Sequence, residues 1–205
     1  MKLYDSFRAP NPRRVRWVMA EKNITDVEVV MVDVFKGEHK TAEYLAKCGL
    51  PNVPALEFDD GTAITESVAI ARYLETVYPE PNMLGRDARE TAVIEMWTRR
   101  AENLLATPLM LSVRHTHPAL AALDTQIPAI AETNMAAAGR AMKVFDRQLA
   151  KTEFLAGDRV TIADVVAAAA IDFARMIKFT VPAELTHLTR WYEAMMARPA
   201  AKAGV

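Results

Sequence analysis

The sequence predicts an α/β unit in the order βαβαββα followed by an all-α bundle. Three observations carry this. Short β-branched and aromatic runs alternate with helical segments over about the first 80 residues. The run Tyr78-Pro79-Glu80-Pro81-Asn82 then breaks the pattern as a linker. Beyond it strand signals almost vanish and long 3.6-period stretches take over. A chain of 205 residues holds one large domain or two small ones with a sizeable core. The expected domains are 1–81 and 87–205.

The elements follow in order. Lys2-Leu3-Tyr4 is a short strand. Asn11-Pro12 reads as an N-cap followed by proline at the first helical position, opening a helix over Pro12 to Lys22 with Val15, Val18 and Met19 on one face. Val27 to Val32 resumes the sheet after that helix, so the first two strands are expected to be parallel. A second helix over Thr41 to Lys47 stops near Gly49-Leu50-Pro51. Val53 to Phe58 and Thr62 to Ile64 flank Asp59-Asp60-Gly61 as a hairpin. Ser67 to Tyr78 is a helix with Ile70, Leu74 and Val77 on one face. In the second part, Ala88 to Thr107 reads as one long helix that Pro108 kinks or interrupts. Ile127 to Leu149 is another, Val165 to Arg175 is apolar nearly all round and so central, and Leu185 to Met195 marks the last.

Composition excludes several classes. Lys plus Arg is 25 and Asp plus Glu 26, net charge −1, less basic than a protein built to grip phosphate backbones, so no nucleic-acid partner is expected. The single cysteine, Cys48, excludes an intrachain disulfide framework and a cysteine-cluster zinc site, and nothing among the four histidines supports a metal centre. No stretch of about 18 apolar residues predicts a membrane span. The opening Met1-Lys2-Leu3-Tyr4-Asp5 carries acid where a signal peptide has its apolar run, so a cytoplasmic location is expected.

Four local features then coincide. The first strand runs into Ala9-Pro10-Asn11-Pro12-Arg13-Arg14-Val15-Arg16 at a helix start. Val53-Pro54 precedes a strand, and Glu66-Ser67 opens a helix within Thr65-Glu66-Ser67-Val68-Ala69-Ile70. Thr161-Ile162-Ala163-Asp164 is a capping box at the start of the buried helix. Each motif alone is weak; all four in this order resemble the cytosolic glutathione S-transferases over essentially the whole chain, which implies a thioredoxin-like half to about Pro81 and then an all-helical half. The subgroup most similar in look is the bacterial and fungal one that lacks the standard catalytic Tyr, Ser or Cys and carries a loop like Lys36-Gly37-Glu38-His39.

The resemblance implies a set of contacts. Val53, held by a cis Pro54, would pair its backbone with the cysteinyl part of glutathione, as an added strand does. Ser67 at its helix start would take the γ-glutamyl carboxylate, where free N–H groups and the helix dipole favour an anion. Glu66 would meet the amino group, and His39 and Lys40 the glycyl carboxylate. Asn52 occupies a position that is commonly Lys or Gln. Taken singly, Val53-Pro54 reads as a strand start, Glu66-Ser67 as a helix start and His39-Lys40 as solvated loop. Thr161 and Asp164 are expected to be structural. Arg13, Arg14 and Arg16 read as a solvated face or structural ion pairs.

The chemistry needs a thiolate. A free thiol near pKa 8.5 is only a few per cent ionised at neutral pH, and lowering it by about 2 units takes roughly 2.7 kcal/mol of preferential stabilisation. Ala9 stands where the serine classes carry their hydroxyl, and Asp5 where the tyrosine classes carry theirs. Two candidates remain. Asn11 reads either as the helix cap or as an amide donor to the sulfur. His115, in Arg114-His115-Thr116-His117-Pro118, reads either as a surface or cap residue or as the holder of an activating water in the helical part. The resemblance implies an apolar electrophile beside Phe7-Arg8-Ala9 and the Thr107 to Leu111 region, and a homodimer. The rival readings are a glutathione-dependent isomerase or thiol lyase, and a non-catalytic interaction or stress protein with the same fold.

Overall fold

A computed structural model describes residues 1–203. The chain forms two compact units, one from Met1–Pro81 together with residues 199–203, the other Asn82–Arg198. The expected span of 87–205 thus ends in a segment that returns to the first unit.

In the first unit the elements run β1 (Lys2–Asp5), α1 (Pro10–Glu21), β2 (Glu28–Met31), α2 (Ala42–Cys48), β3 (Ala55–Glu57), β4 (Ala63–Thr65) and α3 (Ser67–Val77). The sheet order is β2-β1-β3-β4, with β1 parallel to β2 and antiparallel to β3, and β3 antiparallel to β4. Side-chain alternation sorts the strands onto two cores. Leu3 and Leu56 meet Val15, Met19, Ile70 and Leu74 of α1 and α3. Tyr4 and Ala55 lie on the other face with Tyr44 and Cys48 of α2. Each fully buried Leu or Ile contributes about 1.5–3 kcal/mol.

Two details differ from expectation. The first helix begins at Pro10, with Ala9 as its N-cap and no side-chain cap bond, so Asn11 is not the cap. The physical reason is that first-turn N–H groups have no partner inside a helix, so prolines at positions 10 and 12 both fit the first turn. The second concerns the closing end of α1. Lys22, expected as its last turn, is the C-cap and is buried. Its ammonium donates to the carbonyls of Tyr78 and Pro81, each at 2.8 Å, and pairs with Glu75 at 2.7 Å. A buried charge is tolerable because it is paired and fully bonded.

The second unit contains α4 (Ala88–Arg100), α5 (Thr107–Arg114), α6 (Pro128–Leu149), α7 (Ile162–Ala174) and α8 (Thr186–Ala197). The expected helix over 88–107 is not uniform: residues Ala101–Ala106 form a π-helical segment that runs into α5. Pro108 has no N–H for the carbonyl of Leu104 and its ring would strike it, so the turn before it widens instead of breaking. α7 is buried along nearly its whole length and packs on α4, α5, the π segment and α8. Its alanines permit this close approach. Asp164 reaches back to the Thr161 N–H at 2.9 Å, and its carboxylate also accepts from the Leu155 N–H and Trp191 Nε1, both at 2.9 Å.

Candidate functional site

The hairpin register brings two of the motifs together. Ala55 pairs with Thr65 and Leu56 with Ile64, so Val53-Pro54 and Glu66-Ser67 emerge at the same end of β3 and β4. The Val53–Pro54 peptide is cis. Val53 is half-buried, yet neither its N–H nor its C=O is hydrogen-bonded within the described residues. A half-buried residue with both backbone groups open is a place where another extended chain can pair.

The start of α3 lacks a side-chain cap. Glu66 has φ 71° and ψ 115°, a conformation costly for a residue with a Cβ, and its side chain makes no cap bond. The first-turn N–H groups of α3 therefore lack the side-chain partner that a capped helix supplies. Ser67 is buried, and its Oγ accepts from Nη1 of Arg14 at 3.3 Å. Arg14 is itself buried, so a guanidinium charge is held beside the positive end of the helix dipole.

Asn11 lies three residues before Arg14 on α1, hence on the same face. Its Oδ1 is buried with no hydrogen-bond partner among the described residues. The cap reading is removed, since Ala9 holds that position. At the end of β1, Asp5 is fully buried and paired with Arg16. That position therefore carries a structural ion pair. Ala9 offers only its backbone, with its N–H bonded to the Ser6 carbonyl at 3.1 Å.

His39 and Lys40 sit in the short turn before α2. Among the described residues no hydrogen bond joins either to Val53, Glu66 or Ser67. His39 is buried with Nδ1 unpartnered. Burial, and secondarily the neighbouring Lys40 charge, hold its pKa below the usual imidazole value. It is thus a neutral ring at pH 7, while Lys40 beside it is exposed and cationic. Asn52 exposes its side chain, but its carbonyl accepts a 2.5 Å bond from the Tyr44 hydroxyl.

His115 lies in the second unit at the end of α5 and is buried. Its Nδ1 accepts from the Ile127 N–H at 3.1 Å, which leaves the proton of the neutral ring on Nε2. The ring therefore ties α5 to the start of α6 and also offers one N–H. His117 accepts from the Ala119 N–H at 3.3 Å and caps a short turn.

Arg13 and Arg14, read as a solvated face or structural ion pairs, with approach to a glutathione carboxylate or a dimer interface as the alternative, are both buried, and Arg14 is the one that meets Ser67. Its spacing of three from Asn11 was the available signal. Tyr44 escaped the sequence reading, which took Thr41 to Lys47 only as a helix; once buried, its hydroxyl had to find a polar partner.

A thioredoxin-like unit with a four-stranded mixed sheet, followed by an all-helical unit, is the architecture of the glutathione S-transferase class. Residues 9–77 match the family model of the glutathione S-transferase N-terminal domain, and residues 103–199 that of the C-terminal domain. The chain is 36% identical to glutathione S-transferase 2 of Saccharomyces cerevisiae, over 98% of this chain and 88% of the relative. It belongs to the glutathione S-transferase family and is a glutathione transferase enzyme. Among solved structures, that of a glutathione S-transferase domain-containing protein from Marinobacter aquaeolei is 40% identical with a TM-score of 0.91, covering 98% of this chain and 99% of that one. The crystal structure of Gtt2 from Saccharomyces cerevisiae is 36% identical with a TM-score of 0.92 and full coverage of both.

Proposed function

We propose that this transferase binds glutathione on the first unit, lowers its thiol pKa and joins its sulfur to an apolar electrophile. The observation that carries the reading is the start of α3: a buried serine bonded to a buried guanidinium, at a helix end with no side-chain cap. There the γ-glutamyl carboxylate accepts from Ser67 and the first-turn N–H groups, and Glu66 receives the amino group. Val53, ahead of Pro54, pairs with the cysteinyl backbone. His39 donates as a neutral ring to the glycyl carboxylate, Lys40 supplies the charge there, and Asn52 flanks them.

The sulfur is the weaker part of the design, because no Tyr, Ser or Cys takes the standard position. Asn11 and a water held by His115 are the proposed donors, which assigns the chain to the subgroup without a standard catalytic residue. About 2 pKa units correspond to roughly 2.7 kcal/mol, within reach of two charge-assisted bonds. The thiolate pair forms the new carbon–sulfur bond. A leaving group departs with its own electron pair, or, on addition to an activated double bond, the carbon takes up a proton. The reading includes a cytoplasmic homodimer with a role in detoxification. Product analysis separates simple conjugation from isomerisation or thiolysis, which use the same thiolate.

The test is a pH titration of the ultraviolet absorbance of bound glutathione's thiolate, with calorimetric binding alongside. Binding with an ionisation midpoint well below that of free glutathione is expected. Binding with an unshifted midpoint overturns the activation step, and no binding overturns the reading altogether.

A further inference from the structure

Tyr44 of α2 is 6% exposed, and its ring stands edge-on to that of Tyr4 with centroids 5.8 Å apart. Val53 packs against the same small core of Val32, Tyr44, Cys48 and Ala55. Burial pushes the Tyr44 pKa well above the usual tyrosine value, so its hydroxyl stays protonated at any working pH. That hydroxyl donates to the Asn52 carbonyl at 2.5 Å.

The carbonyl belongs to the peptide that joins Asn52 to Val53, and this peptide is trans. A trans peptide is planar, with C=O and N–H directed oppositely. Holding the Asn52 oxygen from within the core therefore turns the Val53 N–H away from it. Pro51 and Pro54 bring no N–H, and among the described residues the backbone of Val53 is unpaired. α2 itself has an independent anchor, since Lys47 donates to the Tyr4 hydroxyl at 3.0 Å and pairs with Glu57 at 3.3 Å.

We infer that Tyr44 is a positioning residue for glutathione, aiming the Val53 backbone at the ligand through the Asn52 carbonyl. The inference rests on the proposed pairing of Val53 with the cysteinyl backbone. Tyr44→Phe keeps the ring and removes only the hydroxyl. Losing one well-made bond at a pairing position is expected to raise the glutathione Kd and KM about five- to tenfold. The kcat with a chlorodinitrobenzene at saturating glutathione, and the thiolate midpoint, stay unchanged. Lys47→Met loosens the other anchor of α2 without touching Asn52 and is expected to keep wild-type affinity. If wild-type protein binds glutathione and Tyr44→Phe binds it equally well, the inference fails. It also fails if Lys47→Met weakens binding as much, because general packing of α2 then explains the loss. If the wild type does not bind, the underlying reading of Val53 has failed instead. Should Tyr44→Phe fold poorly, the Val53 amide resonance of the wild type is the second readout. A shift on glutathione addition supports the pairing, and none overturns it.

Discussion

Two helix starts in this molecule are opposites. At α7 the start is closed from within: Asp164 is wholly buried and accepts from the Thr161 and Leu155 N–H groups, the Thr161 hydroxyl and Trp191 Nε1. At α3 the residue before the helix is held at positive φ, makes no side-chain cap bond, and precedes a serine whose hydroxyl accepts from a guanidinium. Both starts are marked in the sequence by a small polar residue. The difference teaches that a completed cap serves stability, whereas a helix start left open beside a buried cation keeps donors free for a partner from outside, the role proposed above for the γ-glutamyl carboxylate.

The sharpest way to break this contrast is Asp164→Ala. It leaves four buried donors unpaired, the Thr161 hydroxyl among them, at about 1–3 kcal/mol each, so a stability loss of at least roughly 4 kcal/mol is expected in denaturant unfolding. Calorimetry on the folded fraction should show wild-type glutathione affinity; a matching loss of affinity would erase the distinction between the two starts. Ser67→Ala should do the reverse. Removing one charge-assisted bond of about 1.5–2 kcal/mol weakens glutathione binding roughly ten- to thirtyfold, while stability changes by less than about 1 kcal/mol. Unchanged affinity would mean that the carboxylate goes elsewhere.

Smaller effects sharpen the contrast further. Asn11→Ala and His115→Ala are each expected to raise the thiolate midpoint of bound glutathione by about one unit, near 1.4 kcal/mol. If neither variant moves it, some other donor, such as a backbone amide, performs the activation. The smallest effect concerns His39. Burial holds its pKa below the usual value, so the folded state disfavours the charged ring. Stability from the neutral ring is fully present above about pH 6.5 and is lost as the pH falls through the folded value. A glycyl carboxylate favours the charged ring, so glutathione affinity should rise modestly over that same descent. His39→Gln should abolish the rise; a rise that persists in the variant removes His39 from the site.

Much of this was legible in the sequence because it is local. The βαβ opening follows from β-branched runs on either side of an amphipathic helix, and Thr161 with Asp164 announces its own cap. Val53-Pro54 and Glu66-Ser67 were found by their place in a joint pattern, and the hairpin register explains why they share one end of the sheet. What stayed hidden depends on distant partners. Arg13 is buried because the chain returns at its end, where Nη2 donates to the Ala201 carbonyl at 3.0 Å. Arg14 is buried because Ser67, far along the chain, receives it. The start of α1 was misplaced because two prolines and an asparagine offered two equivalent ways to open a first turn.

The π segment sets the angular phase of everything after it. Ala101, Leu105, Leu109 and Val113 are all fully buried, four residues apart. On a regular helix each such step overshoots a full turn by roughly 40°, and three steps would carry the last side chain about 120° away from the first. The wide turn over Ala101–Ala106 absorbs an extra residue and keeps the four in line. Shortening that turn by one residue would swing Leu109 and Val113 by roughly 100° and bring others, including the polar groups near His115, round to the core side. One added residue thus acts as a gear tooth between the two ends of a long rod, deciding which way its far end faces.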